Sequence, residues 1–208
     1  MHSSISTQPV TMTKAKKSAT KVASPSSVSL VVPSLYLGPC SAASSKQFLT
    51  TNSITHVLSV GASPTDPVDG VVYHRISIND SVTSSISKVS DTACEIIDTA
   101  LKSHNGTGKI LVHCSAGISR SPMIVTTYLM KRRGMSLKAA LRQIILVRPQ
   151  ISPNSGFLQQ LKDLEMDLRG EVSLDADELP KRQKERLALF ADDSLEDTKV
   201  VEAGLSGG

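Results

Sequence analysis

The run Ile110-Leu111-Val112-His113-Cys114 followed by Ser115-Ala116-Gly117-Ile118-Ser119-Arg120-Ser121-Pro122 constrains this chain more than any other feature. Its first residues are apolar and β-favouring, the pattern of a buried strand. Pro122 then opens a helical pattern at a place where a missing N–H costs nothing. A loop running into a helix N-terminus aims backbone N–H groups and the positive end of the helix dipole at one point. An oxyanion fits there, and so does a thiolate. The same field that would hold a phosphate lowers a cysteine below its ordinary pKa. Five residues lie between Cys114 and Arg120. That is enough for the loop to curl into a cradle of Ser115, Ala116, Gly117, Ile118 and Ser119, with the guanidinium reaching back to grip two phosphate oxygens. Gly117 supplies backbone freedom at the sharpest turn.

The rest of the chain supplies a setting for this loop. Short strands are expected at residues 30–32, 35–37, 55–60, 71–76 and 109–112, and residues 41–50 can form one short helix. Apolar residues Val89, Ala93, Ile96, Ile97, Ala100 and Leu101 recur at helical spacing. Further helices are expected at 123–133, 137–147 and about 155–168. Strands alternating with helices early, then helices in succession, imply an α/β fold. Its central, mostly parallel sheet of about five strands is flanked by helices, and the cradle sits at the C-terminal end of a central strand.

Residues 1–28 are Ser/Thr/Lys-rich and free of acidic residues, and read as a disordered basic tail. The ordered domain spans 29–169. Residues 170–208 read as an acidic, mostly mobile extension, although Pro180 to Phe190 can form a helix docking through Leu187, Leu189 and Phe190. With 3% aromatic residues and 39% hydrophobic ones, aliphatic side chains must fill the core. No apolar run approaches the ~18 residues of a membrane span. Three cysteines and no apolar leader point to a reducing compartment, cytoplasmic or nuclear, with organelle targeting by the basic tail as the second reading. The net charge of +4 suits an anionic substrate but is too small to argue for nucleic acid.

A cysteine and an arginine at this spacing suggest nucleophilic attack on phosphorus, with the cradle amides and Arg120 stabilising the equatorial oxygens. A thiolate departing from phosphorus benefits from a donor, and the Ser121 hydroxyl is adjacent to the arginine. The leaving oxygen needs a proton, and Asp80 in Ser77-Ile78-Asn79-Asp80-Ser81 is placed to give it. His56, His74 and His104 show no metal-ligand spacing with the cysteines.

His113-Cys114-x5-Arg120-Ser121 resembles the signature of cysteine-based protein phosphatases, and HCSAGISRSPMIVTTYLM resembles the dual-specificity members in particular. VPSLYLG, ITHVLSVG, the Asn79-Asp80 pair and RPQISPNSGFLQQL agree, so the resemblance covers about residues 30–168. It implies that Cys114 is the nucleophile, Arg120 the phosphate ligand, Asp80 the general acid and base, and Ser121 an aid to thiolate departure. It further implies that His113 fixes the loop and Asn154 supports the site from the following loop. The implied reaction removes phosphate from phosphotyrosine and phosphoserine/phosphothreonine, with no metal or other cofactor. Phosphoproteins, MAP kinases among them, are the implied partners, and the chain is similar to the small atypical members that lack a kinase-docking domain. Two other readings compete. One is a phosphatase for phosphoinositides or another non-protein phosphate, which the lysine-free cradle disfavours. The other is a phosphoprotein-binding module, which retention of Cys114, Asp80 and Arg120 disfavours. Cys40 and Cys94 read as small apolar side chains, with trapping of oxidised Cys114 by one of them as the second reading. Oligomeric state is not readable.

Overall fold

The computed structural model describes residues 28–190. The expectations for the basic tail before Val28, and for the extension after Phe190, lie outside the described residues.

Five strands form one sheet: β1 (Ser29–Val32), β2 (Leu35–Pro39), β3 (His56–Val60), β4 (Val72–Ile76) and β5 (Ile110–Cys114). Their order is β1-β2-β5-β3-β4, with β1 antiparallel to β2 and every other pairing parallel. The expected mostly parallel α/β sheet is therefore present, and β5 is its centre. All five residues of β5 are buried, as a strand covered on both faces must be. Alternation then sorts them. Ile110, Val112 and Cys114 enter the large core, and Leu111 joins a smaller cluster with Ala43, Leu49 and Val57 on the opposite face.

That smaller face is covered by α1 (Cys40–Ala43) and α2 (Lys46–Thr51). A single helix over 41–50 is not what forms. Ser45 interrupts it in an extended conformation and its hydroxyl accepts from Phe48 N, making it the N-cap of a second helix. The larger face carries α3 (Ser87–Gly106), α4 (Arg120–Arg133), α5 (Leu137–Val147) and α6 (Ser155–Arg169). The regular part of α3 ends before Ser103, which is extended, and His104 and Asn105 then turn left-handed.

Helix α4 begins at Arg120, two residues before Pro122, so the proline occupies the first turn, where N–H groups have no intrahelical acceptor. Residues Ser121 to Met130 are buried without a break. The two threonines in that run, Thr126 and Thr127, satisfy their hydroxyls by donating back to Pro122 O and Met123 O. This buried helix fixes the end of the loop that precedes it.

Residues 171–190 lie against the domain, with α7 at Gln183–Leu189. Leu174, Leu179 and Phe190 are buried in the large core, whereas Leu187 is exposed. Glu165, fully buried, joins this segment to the start of α5. Its carboxylate accepts from Leu137 N, Ser173 N and the Ser173 hydroxyl.

Candidate active site

Cys114 ends β5, and the chain turns through residues 115–119 before α4 starts. Its Sγ is 3.2 Å from Gly117 N and 3.3 Å from the Ser121 hydroxyl, both donating to it. Burial alone would push this thiol up. The Ser121 hydroxyl and the N–H groups of Ser121, Gly117 and Ile118 outweigh that cost, and the thiol lies below the ordinary cysteine range. The other two cysteines go the opposite way. Burial, then the charge of Cys114, raises Cys40, and burial pushes Cys94 up to about 11. Of the three, Cys114 is the one whose hydrogen-bond donors favour the thiolate over the thiol.

The N–H groups point inward because the carbonyls are tied outward. Ser115 O accepts from Cys40 N, Ala116 O and Gly117 O accept from Arg148, and Ile118 O accepts from Ser152 N at 2.7 Å. With those carbonyls engaged outside, the loop forms an anion-binding nest. Arg148 is fully buried and its Nε lies 2.7 Å from Gly117 O. Arg148 directly follows the helix expected at 137–147, and the signal for its role is its place in the Arg-Pro-Gln-Ile-Ser-Pro-Asn string after α5. Gly117 has φ +68°, and a Cβ there would lie 2.5 Å from Gly38 O, so both conformation and space demand glycine.

His113 lies behind the cradle. It is fully buried, its Nε2 is 2.9 Å from the Ser59 hydroxyl, and its Nδ1 is 3.3 Å from Cys114 O. Burial lowers its pKa, so it is neutral and acts as a brace on the Cys114 backbone rather than as a charge.

Arg120 lies along the cradle rim, with Nη2 donating to Ser115 Oγ at 2.9 Å. It passes so close to Gly61, at the end of β3, that a Cβ at that glycine would meet Nη1 at 2.3 Å. Gly61 directly follows the strand expected at 55–60, and nothing local to it signals this contact. The Nε of Arg120 lies 3.8 Å from Asp80 Oδ2, an ion-pair distance too long for a hydrogen bond.

Asp80 sits in the loop after β4, with its side chain 40% exposed. Its Oδ1 accepts from the Ser119 hydroxyl at 2.7 Å and from Asn154 Nδ2 at 2.8 Å. Asn154 also caps α6, its Oδ1 accepting from Phe157 N. The Ser119 hydroxyl is therefore directed at Asp80 rather than into the cradle. Cys114, Ser121, Arg120, Asp80, Ser119 and Asn154 thus form one connected cluster at the C-terminal edge of the sheet. Among the described residues no group of histidine, cysteine and carboxylate side chains could hold a metal ion, and no helix is long and apolar enough to cross a membrane.

Comparison with known proteins agrees with this geometry. Residues 35–167 match the family described as dual specificity phosphatase, catalytic domain. The chain is 41% identical to dual specificity protein phosphatase 1 of Arabidopsis thaliana over 143 residues, covering 68% of this chain and 70% of that one. It is 37% identical to dual specificity protein phosphatase 15 of Mus musculus over 161 residues, covering 76% and 67%. The crystal structure of human DUSP28 superposes with a TM-score of 0.63 at 31% identity, covering 73% of this chain and 99% of that one. A buried cysteine sulfur met by amide and hydroxyl donors, an arginine on its rim and this likeness make the chain a member of the dual-specificity protein phosphatase family, a phosphoric monoester hydrolase.

Proposed function

We propose that this phosphatase hydrolyses phosphotyrosine and phosphoserine/phosphothreonine in proteins through a phosphocysteine on Cys114. The observation that carries the reading is the Cys114 Sγ, met by Gly117 N and the Ser121 hydroxyl in a loop whose carbonyls are tied outward. The thiolate attacks phosphorus, the S–P bond forms and the P–O bond to the leaving group breaks. The amides of residues 115–120 and the Arg120 guanidinium receive the equatorial oxygens as charge spreads over them.

Asp80 supplies the proton to the departing oxygen. Its Oδ1 is taken by two donors, so Oδ2, on the side of Arg120, is the oxygen that carries the proton. In the second step Asp80 takes a proton from water as that water attacks phosphorus. The S–P bond breaks, and the electron pair returns to a sulfur already provided with donors, Ser121 first among them.

Phosphoproteins are the substrates, MAP kinases being the family-level candidates for a role in signalling. The cradle interior of Ser115, Ala116, Gly117, Ile118 and Ser119 offers no lysine to a second phosphate of an inositol ring, which supports protein over lipid. Hydrolysis of an aryl phosphate and of a phosphopeptide is the test. Cys114→Ser is expected to abolish both while retaining phosphate binding. Asp80→Asn is expected to slow alkyl phosphates by ~10²–10⁴-fold, and activated aryl phosphates far less. Full activity in Cys114→Ser would end this reading, and equal slowing of both leaving groups would remove Asp80 from the acid role.

A further inference from the structure

Residues 171–190 lie beyond the family match at 35–167, and the chemistry above gives them no part. They nevertheless place a cation where a passive tail would not. Arg186 of α7 is 6% exposed. Burying a guanidinium is costly unless its donors are satisfied. Here they are met by backbone carbonyls: Nε donates to Pro180 O at 2.6 Å, and Nη1 donates to Pro149 O at 2.7 Å and Ile151 O at 2.6 Å. The helix is held in place on both sides of this contact, by the buried side chains of Leu179 and Phe190 and by Arg142 Nε on Phe190 O.

The two carbonyls that Nη1 grips belong to the turn after α5, and their neighbours tie the back of the cradle. Arg148, immediately before Pro149, holds Ala116 O and Gly117 O. Ser152, immediately after Ile151, holds Ile118 O, and Asn154, two residues further on, holds Asp80. Arg186 therefore grips the turn between the two residues that keep the cradle carbonyls facing outward. A peptide of that cradle that rotated would turn a carbonyl toward the thiolate in place of an N–H.

We propose that α7 is a positioning element for catalysis, in which Arg186 holds the 149–151 turn so that Arg148 and Ser152 keep the cradle amides aimed at Cys114. The inference rests on the reading of Cys114 as the nucleophile. It makes the segment after the family domain a part of the working enzyme, and its undocking a way to lower activity without touching any residue that meets substrate.

The experiment compares the full chain with Arg186→Met, which keeps the apolar stem, with Arg186→Lys, and with a chain ending after Leu179. The pH dependence of iodoacetamide alkylation at Cys114 is followed by peptide mass spectrometry, beside aryl phosphate kinetics and thermal unfolding. Arg186→Met and the shortened chain are expected to alkylate with a raised apparent pKa and to lose ~10-fold or more in kcat, the scale expected for sub-ångström misplacement of catalytic groups. Arg186→Lys is expected to recover part of both. An unchanged alkylation pKa in folded Arg186→Met, whatever its kcat or Tm, overturns the proposal, and if that variant does not fold, a full-chain alkylation pKa retained in Arg186→Lys overturns it instead. A wild-type Cys114 that alkylates only in the ordinary cysteine range would overturn the underlying reading and the proposal with it.

Discussion

Ser121→Ala removes one oxygen, and the structure sets the size of the effect. The Ser121 side chain is fully buried and its hydroxyl lies 3.3 Å from Cys114 Sγ. Burial raises the Cys114 thiol, and among the contributions that lower it the Ser121 hydroxyl is the largest. A hydrogen bond to a charged group contributes roughly 1.5–3 kcal/mol. Its loss therefore raises the thiol. The two chemical steps then respond differently. In the first, sulfur gives up its charge to phosphorus, so losing a donor does not slow attack once the thiolate is formed. In the second, sulfur recovers the charge, and the same ~1.5–3 kcal/mol appears in the barrier, slowing phosphocysteine hydrolysis by about 10–100-fold. Stopped-flow release of an aryl alcohol above the raised pKa is therefore expected to show a burst close to one equivalent of enzyme, followed by a slow steady state. Alkylation of Cys114 reports the pKa separately. An unshifted alkylation profile, or a slow steady state with no burst, would refute the assignment of Ser121 to thiolate departure.

Gly117→Ala forces a β-carbon onto φ +68° and against Gly38 O, and the left-handed conformation alone costs ~1–2 kcal/mol. Differential scanning calorimetry is expected to show Tm lower by about 5 °C, with activity lost in the folded fraction; an unchanged Tm would mean the loop has room that the geometry denies. Glu165→Ala strands the buried donor Leu137 N and the half-buried Ser173 N, and urea unfolding is expected to show a loss of about 2–4 kcal/mol. A loss under ~0.5 kcal/mol would show that water replaces the carboxylate. The lowered thiol also links stability to pH. The folded pKa of Cys114 lies below its unfolded value, so its contribution is complete above the unfolded pKa and is lost as pH falls through the folded one. The stability difference between wild type and Cys114→Ser is expected to move against wild type as pH is lowered from ~9; a flat difference would contradict the donors assigned to the thiolate.

What could be read along the chain was local. The strand, cradle and helix from Ile110 to Pro122 are contiguous, so apolar runs, Gly117 and Pro122 declare them without reference to anything distant. The break between the two short helices was not legible in that way, because Ser45 acts as an N-cap only once its hydroxyl accepts from Phe48 N, and a serine by itself also fits inside one helix. Asp80 was readable only as a motif position. What aims it comes from Ser119 and Asn154, 39 and 74 residues away in sequence. Arg148, 31 residues from the Gly117 carbonyl it holds, looked like an ordinary helix end. Arg186 looked like one charge among many in a polar tail.

The physical reason is the same in each case. Backbone conformation follows from neighbours within a few residues, whereas the partner of a buried polar group depends on which distant carbonyl or carboxylate the packed sheet and helices deliver. Sequence by itself determined that a thiol and an arginine share one phosphate-sized loop. Tertiary structure decided which groups turn the carbonyls of that loop outward, which oxygen of Asp80 is taken by Ser119 and Asn154, and that the segment after the family domain grips the turn behind both.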